Sequence, residues 1–323
     1  MKEMIKEILR EEMSRLNKTF YFMSGLPRSG STLLSSILNQ NPRFYSGPSS
    51  PVVGIMIGLE NQFSNDELFL GYPKLEQAKE IIASVLPQYY SDRQEPVIFD
   101  KNRSWTVRMN YIPGYFDINP KVICPVRDIA EILTSFISML RRNPYEVNGR
   151  INFIDEMLVK SNIPLTDDNR CEFLANPGGI LGESVESLRK ALMEGYDNSI
   201  HLVEYRDLVN NPKETIEKIY EFLGEELFEH DFNKLNNVNR ENDAQIYGFA
   251  DMHDVRPKLE SISKNPKDVL SSKILEKCKD TEFWRITDSN FEDTNEYEEE
   301  KEEEEVLEIF EDYREDDTQL IGS

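Results

Sequence analysis

Only three cysteines, Cys124, Cys171 and Cys278, occur in 323 residues, with no close spacing among them. That excludes a disulfide framework and a cysteine-built zinc site, and it fits a reducing compartment. Histidine is equally scarce, so imidazole chemistry can come only from His201, His230 or His253. No run approaches the roughly 20 apolar residues of a membrane span. Residues 1–17 mix Lys, Glu and Arg with Met, Ile and Leu at helical spacing and lack the apolar core of a secretory signal. They predict an amphipathic helix packed on the domain, in a cytoplasmic protein without a membrane partner. Basic residues are also short, 37 Lys+Arg against 60 Asp+Glu, for a net charge of −23. Of this, −14 lies between Glu292 and Asp317, where 16 acidic residues face Lys301 and Arg314, and the other −9 is spread along the chain. Such a balance argues against nucleic acid as a partner.

Between these ends, short β-branched or aromatic runs alternate with longer helical patterns. Thr19–Met23, Val97–Phe99, Val122–Val126 and Ile200–Val203 read as strands. Ser31–Asn39, Leu75–Leu86, Ile129–Leu140, Ile180–Met193 and Glu214–Leu223 read as helices. The alternation predicts an α/β fold of the P-loop NTPase-like kind, three layers with a central parallel sheet flanked by helices. The expected division is the helix at 1–17, a main domain at 18–287 and an acidic tail at 288–323. That tail has too little apolar surface to offset its ordering entropy. Pro144 to Gly179 is polar, with Asn176-Pro-Gly-Gly179 as an irregular turn, and reads as an insertion over the active site. Asn148-Gly149, within it, lies between helical segments and is not taken as a hairpin.

The strongest motif is Gly25-Leu-Pro-Arg-Ser-Gly-Ser-Thr32, directly after the first strand. It lacks the lysine of Gly-x-x-x-x-Gly-Lys-[Ser/Thr]; Ser31 stands there instead. The two glycines let the backbone wrap an anion, and the following helix aims free N–H groups and its positive dipole end at it. A P-loop lysine reaches the β- and γ-phosphates of a nucleoside triphosphate. Without it, and with the planar fork of Arg28, the loop suits a less charged group such as a phosphosulfate. Pro27, Arg28, Ser29, Gly30, Ser31 and Thr32 are the first binding candidates.

Pro27-Arg-Ser-Gly-Ser-Thr-Leu-Leu34, followed by Asn41-Pro42, resembles the 5′-phosphosulfate loop of sulfotransferases that use 3′-phosphoadenosine 5′-phosphosulfate (PAPS), most nearly the tyrosylprotein branch. Ile123-Cys-Pro-Val-Arg127-Asp128, with Ser135 beyond it, resembles that family's 3′-phosphate element. The pattern has a physical basis. A strand ending at Val126 puts Arg127 at the carboxyl edge of the sheet, where α/β proteins bind ligands. Ser135 falls about two helical turns further on, and Asp128 is placed to cap that helix. Leu202-Val-Glu-Tyr205-Arg-Asp-Leu-Val209 resembles the segment whose tyrosine helps bind the nucleotide, and Arg256 and Lys258 resemble a late basic loop near the 3′-phosphate. The resemblance implies PAPS as co-substrate, 3′,5′-adenosine bisphosphate as product, no metal, and binding by Arg127, Ser135, Tyr205 and Lys258 besides the loop.

Sulfuryl transfer requires a deprotonated acceptor, a stabilised bridging oxygen and in-line positioning, supplied mainly by orientation and electrostatics. The strand Val97-Ile-Phe-Asp-Lys101 delivers its last residues to the sheet edge. The resemblance makes Lys101 the group facing the bridging oxygen, with Arg28 as a second cation. The base is where the pattern breaks. The tyrosylprotein branch has a glutamate after its second strand; here Tyr45-Ser-Gly-Pro-Ser-Ser-Pro51 offers no carboxylate. His253 is the expected replacement because a neutral imidazole titrates near neutrality, with Glu60 and Asp251 behind it. The stretch from His253 to Lys258 is expected to act as a lid. Peptide, carbohydrate and small-molecule alcohol all stay open as acceptors. Two other readings also stay open. One is a P-loop kinase with Mg²⁺ on Thr32 and Asp100, the other a non-catalytic relative that interacts through its acidic tail. On the sulfotransferase reading, Asp100 orients Lys101 or Arg103.

Overall fold

The computed structural model describes residues 18–236, 241–260 and 264–285, so the expected helix at 1–17 and tail at 288–323 lie outside the described residues. The chain divides into Met1–Lys279 and Asp280–Ser323. Of the second unit, 280–285 are described and hold a 3₁₀ turn at Phe283–Arg285.

In the first unit, β1 (Thr19–Met23) leads through the glycine loop to α1 (Ser31–Leu38) and β2 (Phe44–Ser49). Helices α2 (Val52–Asn65), α3 (Glu67–Gly71) and α4 (Leu75–Tyr89) precede β3 (Val97–Lys101). A 3₁₀ turn at Arg103–Trp105 and α5 (Tyr111–Phe116) connect to β4 (Val122–Val126) and α6 (Ile129–Arg142). A hairpin of β5 (Glu146–Val147) and β6 (Arg150–Ile151) is followed by α7 (Phe153–Lys160), α8 (Asp167–Ala175) and α9 (Ile180–Met193). Then β7 (Ile200–Glu204) runs straight into α10 (Tyr205–Asn210) and α11 (Pro212–Leu223), and α12 (Asp243–Tyr247) and α13 (Ser272–Lys277) are short.

The main sheet has the order β2-β3-β1-β4-β7 with every neighbouring pair parallel. β3 and β4 are buried along their whole length, as strands covered on both faces must be, so β4 and the first three residues of β3 read as apolar runs. Alternation sorts their side chains. Tyr21, Met23, Val97, Phe99, Ile123 and Val203 share one cluster with Leu34, Ile37 and Leu38 of α1 and with Ile216, Ile219 and Tyr220 of α11. On the opposite parity, Phe20 meets Tyr90, and Phe22 meets Trp105 and Phe116. The expected α/β architecture is thus present, a parallel sheet with helices on both faces.

Two segments differ from expectation. β2 carries Gly47 and Pro48, which speak against a strand, yet it forms at the sheet edge with its register broken between Ser46 and Ser49. Edge position and irregular register are what make the proline tolerable. The stretch from Pro144 to Gly179 holds regular elements, the β5–β6 hairpin, α7 and α8. Asn148 and Gly149 have φ of 52° and 79°, the two consecutive positive values of a primed two-residue turn. Among the described residues, no helix is long and apolar enough to cross a membrane.

The chain leaves β1 toward β2 on one side and crosses from β3 to β4 on the other. The switch point therefore lies at the carboxyl end of β1, where an open α/β sheet leaves a crevice. Register fixes its wall: Met23 pairs with Lys101, and Phe22 with Asp100. Asp100 and Lys101 are adjacent, so they face opposite sides of the sheet. Asp100 points into the core and is fully buried, accepting bonds from Ser50 Oγ at 2.5 Å, Tyr90 OH at 2.9 Å and Trp105 Nε1 at 2.6 Å. Burial pushes its carboxyl up while these three donors pull it down. Removing the acceptor leaves three buried donors unmatched, so Asp100→Ala is expected to lower unfolding stability by about 3–5 kcal/mol, as read from urea denaturation.

Candidate functional site

The glycine loop is held open by what its glycines avoid. A Cβ on Gly25 would fall 2.7 Å from the ring of Pro125 in β4. At Gly30, with φ +94°, a Cβ would fall 2.8 Å from Tyr205. Gly30 is also the N-cap of α1 and provides no side-chain bond, and no acidic residue sits in the first turn. The amides at that end are left for a ligand, with Ser31 and Thr32 on the cavity wall. Ser29 points inward instead, its hydroxyl donating to the Leu26 carbonyl at 2.5 Å.

Arg28 has φ of 60°, a left-handed conformation that ordinary residues rarely adopt. That backbone turns its side chain away from the loop and toward α6. Its Nε donates to Ser135 Oγ at 3.2 Å, and Nη1 donates to the Met252 carbonyl. Burial, together with nearby Arg142 and Arg127, pushes its guanidinium down to about 10. Arg127 closes the same corner. It donates to the Arg28 carbonyl at 3.1 Å, pairs with Glu131 at 3.0 Å, and lies 4.2 Å over the Tyr205 ring. Asp128 caps α6 through the Glu131 amide, as expected. Four of the expected residues are therefore linked in one chain of contacts, Ser135 to Arg28, Arg28 to Arg127 and Arg127 to Tyr205. The neighbouring Thr134 hydroxyl is buried with no hydrogen-bond partner, and both it and Ser138 line the cavity.

Lys101 stands on the other side of the loop, with its side chain 7% exposed. Burial pushes its ammonium down against the pull of Glu241, whose Oε1 lies 3.5 Å from Nζ. Glu241 Oε1 also accepts from the Ser49 amide at 2.8 Å and the Ser49 hydroxyl at 3.2 Å. Its Oε2 lies 3.6 Å from His253 Nδ1 and 3.4 Å from the Tyr247 hydroxyl. Burial alone would raise this carboxyl, but His253, Lys101 and Ser49 together bring it below the usual range. His253 Nδ1 is 2.6 Å from Asp243 Oδ1, and Asp243 Oδ2 accepts from the His253 amide at 2.7 Å. Glu241, Asp243 and His253 bring one ligand-type atom each within 4.8 Å. The Lys101 ammonium lies beside the same group, 3.5 Å from Glu241 Oε1.

These groups line one cavity of about 800 Å³, the size of a small-molecule site. Pro27, Arg28, Gly30, Ser31, Thr32, Lys101, Arg127, Ser135, Tyr205, His253 and Lys258 all lie on it. Lys258 is exposed at its rim, on a stretch anchored by backbone bonds from Leu235 to Pro257 at 2.7 Å and from Leu259 to Phe232 at 3.0 Å. The other histidines are elsewhere: His201 stacks on Phe222 and His230 bonds Tyr220. Glu60 takes bonds from Tyr111 and Tyr115 in a separate groove, and Asp251 pairs with Arg142 at 2.6 Å. Sequence reasoning missed Glu241 and Asp243, which sit in a polar stretch with no motif. The absence of a carboxylate at 45–51 was the available signal, and the sequence reading met it with His253 instead. Asp100 neither orients Lys101 nor faces Thr32. Both its oxygens are engaged in the core, and this removes the magnesium site that the kinase reading requires.

A parallel sheet with a glycine-bounded loop and a cationic crevice at its switch point defines an anion-binding α/β protein of three layers. Residues 21–230 match the model of the Sulfotransferase family, and the chain belongs to that family. Its activity class is sulfotransfer, and the rival kinase reading has no support from the fold or the match. Among solved structures it is similar to a sulfotransferase domain from the curacin biosynthetic pathway, with a TM-score of 0.51 and 16% identity over 80% of this chain and 96% of that one. A sulfotransferase domain from the olefin synthase of Synechococcus PCC 7002 follows at TM-score 0.43 and 18% identity, over 71% and 81% of the two chains. A sulfotransferase from Alicyclobacillus acidocaldarius has TM-score 0.41 and 13% identity, over 71% and 88%. The first likeness is one of fold. No curated protein matches the sequence.

Gly30→Ala is expected to destabilise the protein by about 1–3 kcal/mol, because φ and the Tyr205 ring both oppose a Cβ. Gly54→Ala in α2, where no atom lies within 4 Å of the added carbon, is expected to stabilise it by about 0.5–1 kcal/mol. Paired denaturation curves measure both.

Proposed function

We propose that the protein transfers the sulfuryl group of PAPS to a hydroxyl or amine acceptor, releasing 3′,5′-adenosine bisphosphate. The observation that carries this reading is the junction of the glycine loop with α6. Arg28 reaches Ser135, and Arg127 reaches the Arg28 carbonyl. A ligand with an anionic group at each end fits such a loop. Its 5′-phosphosulfate lies on the amides of the loop and on Ser31 and Thr32, and its 3′-phosphate on Arg127, Ser135 and Arg28, with Lys258 at the rim. Tyr205, under the Arg127 guanidinium, holds that cation in place.

Lys101 is the group for the leaving oxygen. Buried and paired with Glu241, its ammonium lies in a low-dielectric setting, where charge developing on the bridging oxygen is stabilised strongly. Arg28 was expected to assist there. Its contacts support a role with the 3′-phosphate group instead. No metal enters this scheme, because the transferred group carries little charge and Lys101 and the loop amides meet it. The acceptor is a peptide, a carbohydrate or a small-molecule alcohol.

Thermal unfolding with 3′,5′-adenosine bisphosphate and no Mg²⁺ tests the reading. Ligand at a hundred times Kd should add about 2.7 kcal/mol of stability. Arg127→Ala should lose most of that gain; a full response in this variant would overturn the 3′-phosphate assignment. Lys101→Ala should keep the response while transfer from labelled PAPS to the best acceptor of a screen falls by a factor on the order of 10²–10³.

A further inference from the structure

We propose that Glu241 is the residue that takes the acceptor's proton, and that the donor itself readies it by drawing Lys101 away. The inference rests on the PAPS reading above. Three features of Glu241 carry it. Its carboxylate is the one anchored on Ser49, at the end of β2, the edge where residues 45–51 provide no carboxylate of their own. It is the carboxylate in ion-pair contact with Lys101, so it stands next to the oxygen on which charge develops. Its second oxygen faces His253 and Tyr247. His253, by contrast, turns Nδ1 to Asp243, and that bond together with the one to its amide fixes the ring. Asp243 and His253 are positioning residues that hold Glu241 from the side away from Lys101.

Paired at 3.5 Å, Lys101 and Glu241 offset each other's charge, and Glu241 is a weak base. The charged groups around it are Lys101 and Arg103 from the end of β3 and beyond, Asp243 and Tyr247 of α12, and His253. When the phosphosulfate brings its oxygens to Lys101, Glu241 loses its main cation partner and gains an anion nearby. Both changes make it more basic. The acceptor O–H then gives its proton to Glu241 while the acceptor oxygen forms the new bond to sulfur. The bond from sulfur to the bridging oxygen breaks, its electron pair stays on the 5′-phosphate, and that charge faces Lys101. The proton leaves Glu241 for solvent once the product departs.

The probe is 3′,5′-adenosine bisphosphate, titrated calorimetrically into the whole protein at about pH 5 in two buffers of different ionisation enthalpy. Because the Glu241 pKa rises on binding, the wild type should take up on the order of half a proton more than Glu241→Gln does. His253→Gln should retain that uptake. Equal proton counts for wild type and Glu241→Gln, both binding, would overturn the proposal and leave the donor assignment standing. Uptake lost in His253→Gln but kept in Glu241→Gln would transfer the role to the imidazole and equally overturn it. No binding to the wild type would remove the PAPS reading and this one with it. If Glu241→Gln does not fold, Lys101→Met serves: with no ion pair to break, its extra uptake should vanish, and persistence would count against the proposal.

Discussion

The fixed point of this structure is the buried carboxylate of Asp100. Three donors from three different places converge on it: Ser50 at the exit of β2, Tyr90 at the end of α4, and Trp105 in the turn after β3. Backbone bonds extend the tie, from the Ser50 amide to the Lys101 carbonyl at 2.8 Å and from the Asn102 amide to the Met23 carbonyl at 3.0 Å. The carboxyl ends of β1, β2 and β3 are thereby locked to one another. Strand alternation then leaves Lys101 no choice but the crevice. A charge sealed in the core and a charge offered to a ligand are consequences of one register.

The second dependence is long-range. Ser49 and Glu241 are 192 residues apart in sequence, yet the amide of one holds the carboxylate of the other. The segment that brings Glu241 also brings Asp243 and His253, so the Lys101 end of the cavity is completed only when residues far along the chain dock on the β2 edge. The anion end has a different character. Its parts, the loop, Arg127 and Ser135, come from β1, β4 and the helices that directly follow them.

That difference explains what could be read from the sequence. The three interior strands, β3, β1 and β4, were legible because burial on both faces favours apolar runs, and β7 at the far edge was legible from its β-branched and apolar residues. The loop and the Arg127–Ser135 pair were legible because strand, turn and helix put them at fixed spacing. β2 was not, since Gly47 and Pro48 argue against a strand and only pairing with β3 overrides them. The β5–β6 hairpin was passed over although Asn148-Gly149 marks it, because its strands are too short to show alternation. Glu241 and Asp243 had no local signature at all; their meaning comes from what they touch. Asp100 was misread for a related reason. A polar residue at a strand end looks like a ligand group until the parity of its side chain is known.

The contacts of Arg28 and Arg142 carry one more consequence. These guanidiniums are satisfied by the protein's own oxygens, the Met252 carbonyl and the Asp251 carboxylate, on two consecutive residues. An anion arriving there meets occupied cations and binds by exchange of partners. Its net affinity is then the difference between two comparable sets of bonds. A difference of this kind keeps binding reversible, because the residues beside the cavity carry the very atoms that take the cations back when the anion leaves.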